Sequence, residues 1–179
     1  MTLFQTTLKT LIGAIVIAGG LTAQAFAMGG DKTTLTITNL MTDELLAPIL
    51  VAPIRSDKKI FDGDYVSSAA EHQILTGDPA MVVEAIGKKA MVGHGTDGPP
   101  GVLLAPGKSI SIEVEARKGQ ALRIIAMVAP TAYKDHFVTG IINVGAGLPV
   151  TLQRYDIGHD EDRKSTEYLS AAAAMVTIK

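Results

Sequence analysis

The chain has 179 residues, with 16 basic and 18 acidic side chains, a formal net charge of −2 and no cysteine. The lack of cysteine excludes a disulfide framework and lipid attachment at a cysteine, and the small net charge does not favour nucleic acid or an acidic membrane surface as a partner. Aromatic residues make up 4% of the sequence and tryptophan is absent, which weakens the case for stacking platforms that bind carbohydrate or nucleic acid.

The N-terminal segment has the order of regions found in a secretory signal peptide. Lys9 precedes the apolar run 11–18, and the small-residue tripeptide Ala25-Phe26-Ala27 follows that run. The run is too short for the roughly 20 residues that a membrane-spanning helix needs. We therefore predict a signal peptide over residues 1–27, an exported protein that is periplasmic or secreted, and one domain over residues 28–179.

The first predicted strand, TTLTITNL, places Leu35 and Ile37 on one face and threonines on the other. This alternation is typical of a strand with one buried face. Two segments with helix-compatible apolar spacing follow at 67–75 and 79–86. Asp78 is suited to cap the second of them, because its carboxylate can accept a free N–H of the first turn.

Further strands are predicted in the second half of the chain. The segment SISIEVEA places Ile110, Ile112 and Val114 inward, and a turn then leads to ALRIIAMV, which is apolar on nearly both faces and is predicted to be central in its sheet. Shorter strands are predicted at 149–155 and 175–179. The pattern predicts a mainly β protein, an antiparallel β-sandwich with a short helical insertion.

Three segments carry a resemblance to a known family. They are TLTITNLMTDELLAPILVAP at 34–53, AMVAPTAYKDHFVTG at 126–140 and YDIGHDED at 155–162. The second resembles a strand that ends in a Met-containing turn with a Pro-Ser/Thr pair and an Asp before an aromatic pair. The third is similar to an aromatic-Asp-Ala-Gly-Thr-Asp/Glu segment. Together they resemble the spondin N-terminal domain family, in its bacterial branch of secreted single-domain members.

The resemblance implies a β-sandwich of the calcium- and phospholipid-binding type, with a calcium ion held by Asp135, Asp156 and Asp160. We therefore predict a non-enzymatic, calcium-binding extracytoplasmic module that serves recognition or adhesion. Its partner would be an extracellular or cell-surface ligand that the sequence does not name.

The residues support a calcium site independently of the family. Calcium takes six to eight oxygen ligands at about 2.3 to 2.6 Å, so a site needs several carboxylates on loops. Asp156 and Asp160 are four residues apart, and Gly158 between them allows a tight backbone turn. Asp135 would approach from the loop after the central strand. The alternative is that DEDRK, at 160–164, is an ordinary solvated surface turn without a metal.

Other hypotheses for the same region remain open. His94, His136 and His159 allow a periplasmic zinc- or copper-binding protein, or a metal-dependent enzyme, because imidazole favours these metals. The spacing of Asp156 and Glu167 also matches the first and last positions of a helix-loop-helix calcium loop. A calcium-dependent lipid-binding domain is a third alternative. Catalysis by a Ser-His-Asp triad has little support, because no serine lies in a nucleophile-elbow motif, and GIINVGAG lacks the lysine of a phosphate-binding loop.

Overall fold

The computed structural model describes residues 31–129, 135–158 and 167–179. The predicted signal peptide, Asp160 and His159 lie outside the described residues. The strands are β1 Lys32–Asn39, β2 Leu45–Leu46, β3 Ile49–Pro53, β4 Phe61–Asp62, β5 Tyr65–Val66, β6 Met91–Gly93, β7 Ser109–Glu115, β8 Ala121–Ala129, β9 His136–Asn143, β10 Val150–Asp156 and β11 Glu167–Ile178. The helices are a 3-10 helix Ile54–Lys59, α1 Ser68–Thr76 and α2 Ala80–Ile86.

One antiparallel sheet of nine strands dominates the described chain. Its order is β6-β3-β8-β9-β10-β11-β1-β7, with β2 pairing beside β3 on β8, and a separate hairpin joins β4 to β5. Because every neighbouring pair is antiparallel, Asn39, His136 and Asp156 lie at one end of the sheet, here named the Asp156 end. Met91 and Ala121 lie at the other, here named the Met91 end.

The sheet curls until its two edge strands approach each other, so the structure is nearly closed as a barrel. Gly93 of β6 makes this approach possible. A Cβ built on Gly93 would lie 2.4 Å from Ile112 Cδ1 and 2.7 Å from Ile110 Cδ1, both on β7. The lack of a side chain therefore allows β6 and β7 to meet at this point.

The two faces of the sheet bury two separate cores. The inner face holds a cluster that includes Leu35, Ile124 and Val138. The outer face, covered by the helices, holds a second cluster that includes Ile125 and Phe137. Strand β8 contributes to both, because alternate side chains of a strand point to opposite faces. It lies between β3 and β9, so the prediction that it is central is confirmed.

The helices begin where the sequence predicts. Ser67 Oγ accepts a hydrogen bond from the Ala70 N–H at 3.2 Å, and α1 ends at Gly77, whose φ of 77° is left-handed. Asp78 Oδ1 accepts the Ala80 N–H at 2.9 Å, but the N-cap residue of α2 is Pro79, so Asp78 lies one residue before the capping position that was predicted for it. These bonds satisfy donors that the first turn of a helix leaves free.

The prediction of a mainly β, antiparallel protein with a short helical insertion is confirmed. The described strands form one nearly closed sheet, and a sandwich of two sheets stays a prediction. None of the helices in the described ranges combines the length and apolarity that crossing a membrane requires.

Candidate metal centre

The site lies at the Asp156 end, where β9 begins and β10 ends. His136 and Asp156 are directly opposite each other in the ladder, and Arg154 is opposite Val138. Val138 belongs to the inner core, and residues two apart on a strand share a face. The side chains of His136, Arg154 and Asp156 therefore project inward and cover the inner core at this end.

A hydrogen bond from the backbone of Gly158 fixes the carboxylate of Asp156. Gly158 has a φ of 83°, and its N–H donates to Asp156 Oδ1 at 2.5 Å. This is the local side-chain to backbone bond that aspartate readily forms. The Ile157 N–H donates to the carbonyl oxygen of Asp135 at 3.3 Å, which ties the two segments together. Gly158 has the left-handed backbone that the predicted turn requires, and the continuation of that turn to Asp160 lies outside the described residues.

Asp135, His136 and Asp156 form a group with the geometry of a metal site. One potential ligand atom from each residue lies within 4.8 Å of those of the other two. Two atoms that each lie about 2.4 Å from one ion can be up to about 4.8 Å apart, so the spacing is compatible with a single calcium-sized ion. The side chains of His136 and Asp156 are only 11% and 13% exposed.

An arginine and a glutamate complete the cluster. Arg154 forms a two-pronged ion pair with Glu44, with Nη1 at 2.5 Å from Oε2 and Nη2 at 2.8 Å from Oε1. Its Nη2 also lies 2.6 Å from His136 Nδ1. Glu44 is held in place because its backbone carbonyl oxygen accepts a hydrogen bond from the side chain of Asn39 at 2.8 Å.

The contact with Arg154 determines which nitrogen of His136 carries a proton. A guanidinium has only donors, so His136 Nδ1 must be the acceptor and the proton lies on Nε2. Nε2 lies 3.5 Å from Asp156 Oδ2. A histidine that binds a metal through Nε2 ordinarily donates an N–H from Nδ1. Arg154 opposes that arrangement, so the oxygens of Asp135 and Asp156 are the better metal ligands.

The structure brings together two of the three aspartates that the sequence analysis selected, Asp135 and Asp156. The third, Asp160, lies outside the described residues. The helix-loop-helix alternative is wrong, because Asp156 ends a strand and Glu167 begins another. His136 joins the cluster, as the zinc or copper alternative supposed, whereas His94 is not part of it.

The sequence analysis missed Glu44 and Arg154. One signal was present: Leu152 is an inward residue of β10, so Arg154 and Asp156 fall on the same inward face. Charged residues at two successive inward positions indicate a buried polar network. No comparable signal marks Glu44, which lies 110 residues from Arg154 in the sequence.

Comparison with known proteins gives no family. The chain matches no family model and no curated protein. The function is therefore argued from the chemistry of the site.

Proposed function

We propose that the protein is an exported, non-enzymatic module that binds calcium at its Asp156 end. The observation that carries the proposal is the convergence of Asp135 and Asp156 with ligand atoms at the spacing of a single ion. We assign Asp160 as the third carboxylate, on the spondin resemblance and on its position four residues after Asp156. Carbonyl oxygens and water would complete a shell of six to eight ligands.

The charge and donor chemistry of the cluster support calcium over zinc or copper. Glu44, Asp135 and Asp156 carry three negative charges against the single positive charge of Arg154. The sum is −2, and −3 with the assigned Asp160, so the site is negatively charged and attracts a divalent cation. In this hydrogen-bond arrangement His136 Nδ1 accepts from Arg154 and Nε2 carries a proton, so neither nitrogen is free to bind a metal. The carboxylate oxygens are then the ligands that remain among these residues. Calcium prefers oxygen ligands, whereas zinc and copper favour imidazole and thiolate.

In this proposal the ion fixes the connections at the Asp156 end and shapes a surface for recognition or adhesion. Asp135 precedes β9 and Asp156 ends β10, so one ion would join two neighbouring strand ends. The resemblance adds that the nearly closed sheet is a variant of the calcium- and phospholipid-binding sandwich. The signal-like segment 1–27 supports a periplasmic or extracellular location, where calcium modules bind at about 10⁻⁴ to 10⁻³ M.

The test is urea unfolding of the purified protein with and without calcium. A ligand that binds only the folded state stabilises it by RT ln(1 + [L]/Kd), which is about 1.4 to 2.7 kcal/mol at about 10 mM calcium for the affinities above. The substitutions Asp135→Asn, Asp156→Asn and Asp160→Asn should each abolish most of this gain, because each removes a charged ligand without changing side-chain size.

Asp62→Asn is the matched control, since Asp62 is exposed on β4 and outside the cluster. It should retain the full calcium effect. Repeating the titration with zinc separates the alternatives: tighter zinc binding that requires His136 would replace the calcium proposal with a transition-metal site. An equal calcium effect in all four variants would mean that calcium binds elsewhere or only through bulk charge.

A further inference from the structure

A second feature of the molecule lies at the opposite, Met91 end of the barrel, where the seam between β6 and β7 opens. The two edge strands meet at Gly93 and Ile112 but leave a cleft of about 780 Å³ that is lined by Met91 of β6 and by 113–115 of β7. This volume lies within the range of small-molecule sites, and the mouth of a β-barrel is a common place for such sites.

The floor of the cleft is apolar. Val51, Val114 and Leu122 close it as members of the inner core, with exposures of 1%, 4% and 2%. Met91 pairs with Val51 in the ladder between β3 and β6, and its side chain is 39% exposed. A large flexible apolar side chain at the open seam offers a contact surface that adapts to a bound apolar group.

The rim of the cleft is cationic. Five basic and two acidic side chains line it, a net charge of +3 in a chain whose net charge is −2. The basic residues are Lys32, Arg55, Lys88, Lys89 and Arg117, and the acidic residues are Glu113 and Glu115. They converge because the antiparallel order brings the start of β1, the 3-10 helix after β3, the turn before β6 and the turn after β7 to the same end.

Most of this positive charge is not neutralised by the described part of the chain. Lys32 pairs with Glu113 at 3.4 Å, and both side chains are largely exposed. Among the residues that the structure describes, no ion pair joins Arg55, Lys88, Lys89 or Arg117 to a carboxylate. A cleft lined by charges of one sign over a low-dielectric wall concentrates ligands of the opposite sign.

From the combination of apolar floor and cationic rim, we propose that this cleft binds a small amphiphile with one anionic head group and an apolar body. The head group lies against Lys88, Lys89 and Arg117, and the apolar body lies over Met91 and the inner core residues below it. This site is separate from the proposed calcium centre, which lies at the other end of the barrel, so the two proposals fail independently.

Isothermal titration calorimetry with decanoate, in the monomeric range and without calcium, tests the proposal. Decanol supplies the apolar body without the charge, and inorganic phosphate supplies the charge without the body. We expect measurable decanoate binding and at least tenfold weaker binding of both reference compounds. Equal binding of decanol and decanoate would refute a role for the rim, and equal binding of phosphate would refute a role for the floor. Absence of decanoate binding would overturn the proposal as a whole.

Charge reversal locates the site. The double substitution Lys88→Glu/Lys89→Glu should weaken decanoate binding at least tenfold, and Arg117→Glu should weaken it in the same direction. The double substitution Lys58→Glu/Lys59→Glu makes the same change in net charge on exposed residues that do not line the cleft. It should weaken decanoate binding much less than the Lys88/Lys89 substitution does, because these two exposed side chains do not line the cleft. Equal effects of the two double substitutions would show that only net charge matters and would overturn the site.

Discussion

Replacing Arg154 by methionine tests how far the cluster at the Asp156 end stabilises the fold. Methionine retains much of the apolar stem of arginine but removes three hydrogen bonds, two to Glu44 and one to His136. The Arg154 and Glu44 side chains are each 19% exposed, so most of both lies out of water. The substitution therefore leaves the Glu44 carboxylate largely buried without its cation.

The expected cost follows from that burial. Breaking a fully buried ion pair by removing one partner costs about 3 to 5 kcal/mol, whereas exposed pairs contribute about 0 to 1 kcal/mol. With about four fifths of each side chain buried, we expect a loss of about 3 kcal/mol in the free energy of unfolding. For a domain of this size, that loss lowers the melting temperature by roughly 6 to 12 °C. Urea unfolding followed by circular dichroism measures the free energy directly.

Two further variants isolate the cause. The double substitution Glu44→Met/Arg154→Met removes both charges and should recover at least half of the lost stability, because no buried charge remains. Lys32→Met breaks the exposed pair with Glu113 and should leave stability nearly unchanged. A loss below about 1 kcal/mol for Arg154→Met, or no recovery in the double variant, would refute the view that Arg154 neutralises a buried carboxylate.

Two other predictions concern the seam and the loop beside it. Gly93→Ala should destabilise the protein by about 1 to 3 kcal/mol in urea unfolding, because the new Cβ would overlap the Ile112 side chain on β7; an unchanged stability would show that the seam can widen freely. The hydrogen bond from the Lys108 ammonium, followed by one from the Ala105 N–H, holds the pKa of Asp97 below its ordinary value of 3.8. A lowered pKa in the folded state gives stability that is present above the ordinary pKa and is lost as the pH falls through the folded one. Asp97→Asn should therefore lower stability at pH 7 and reduce the loss of stability on acidification below about pH 4, and parallel pH profiles for the two proteins would contradict the assignment.

The strands β1, β7, β8 and β10 and the two α-helices could be predicted because their signals are local. The strands β2 to β6 were not predicted, and β11 was predicted only over 175–179. The alternation around Leu35 and Ile37 gives β1, and both residues are fully buried as predicted. The apolar run of β8 gives a central strand. Strand β9 was missed, because its sequence HFVTGIIN has apolar residues on both faces and therefore lacks the alternation of a strand with one polar face. Its central glycine, Gly140, faces β10, where a Cβ would lie 2.8 Å from the Leu152 side chain.

The candidate site could be predicted only in part, for a physical reason. Asp135 and Asp156 follow from short segments and a family resemblance. The pairing of Arg154 with Glu44 depends on the tertiary fold, because the two residues lie 110 positions apart in the sequence. The same holds for the cationic cleft at the Met91 end, whose charges come from four separate connections. Such long-range convergence leaves no periodic trace in a single sequence.

A crystal structure of the protein grown with calcium tests the central claim most directly. The account predicts an ion, identified by its anomalous signal, with carboxylate oxygens of Asp135, Asp156 and Asp160 at about 2.3 to 2.6 Å. It also predicts that His136 Nδ1 still accepts from Arg154 and that His136 does not bind the ion. Ordered aspartates with no ion between them, or an ion held by His136 Nε2, would contradict the proposed calcium site.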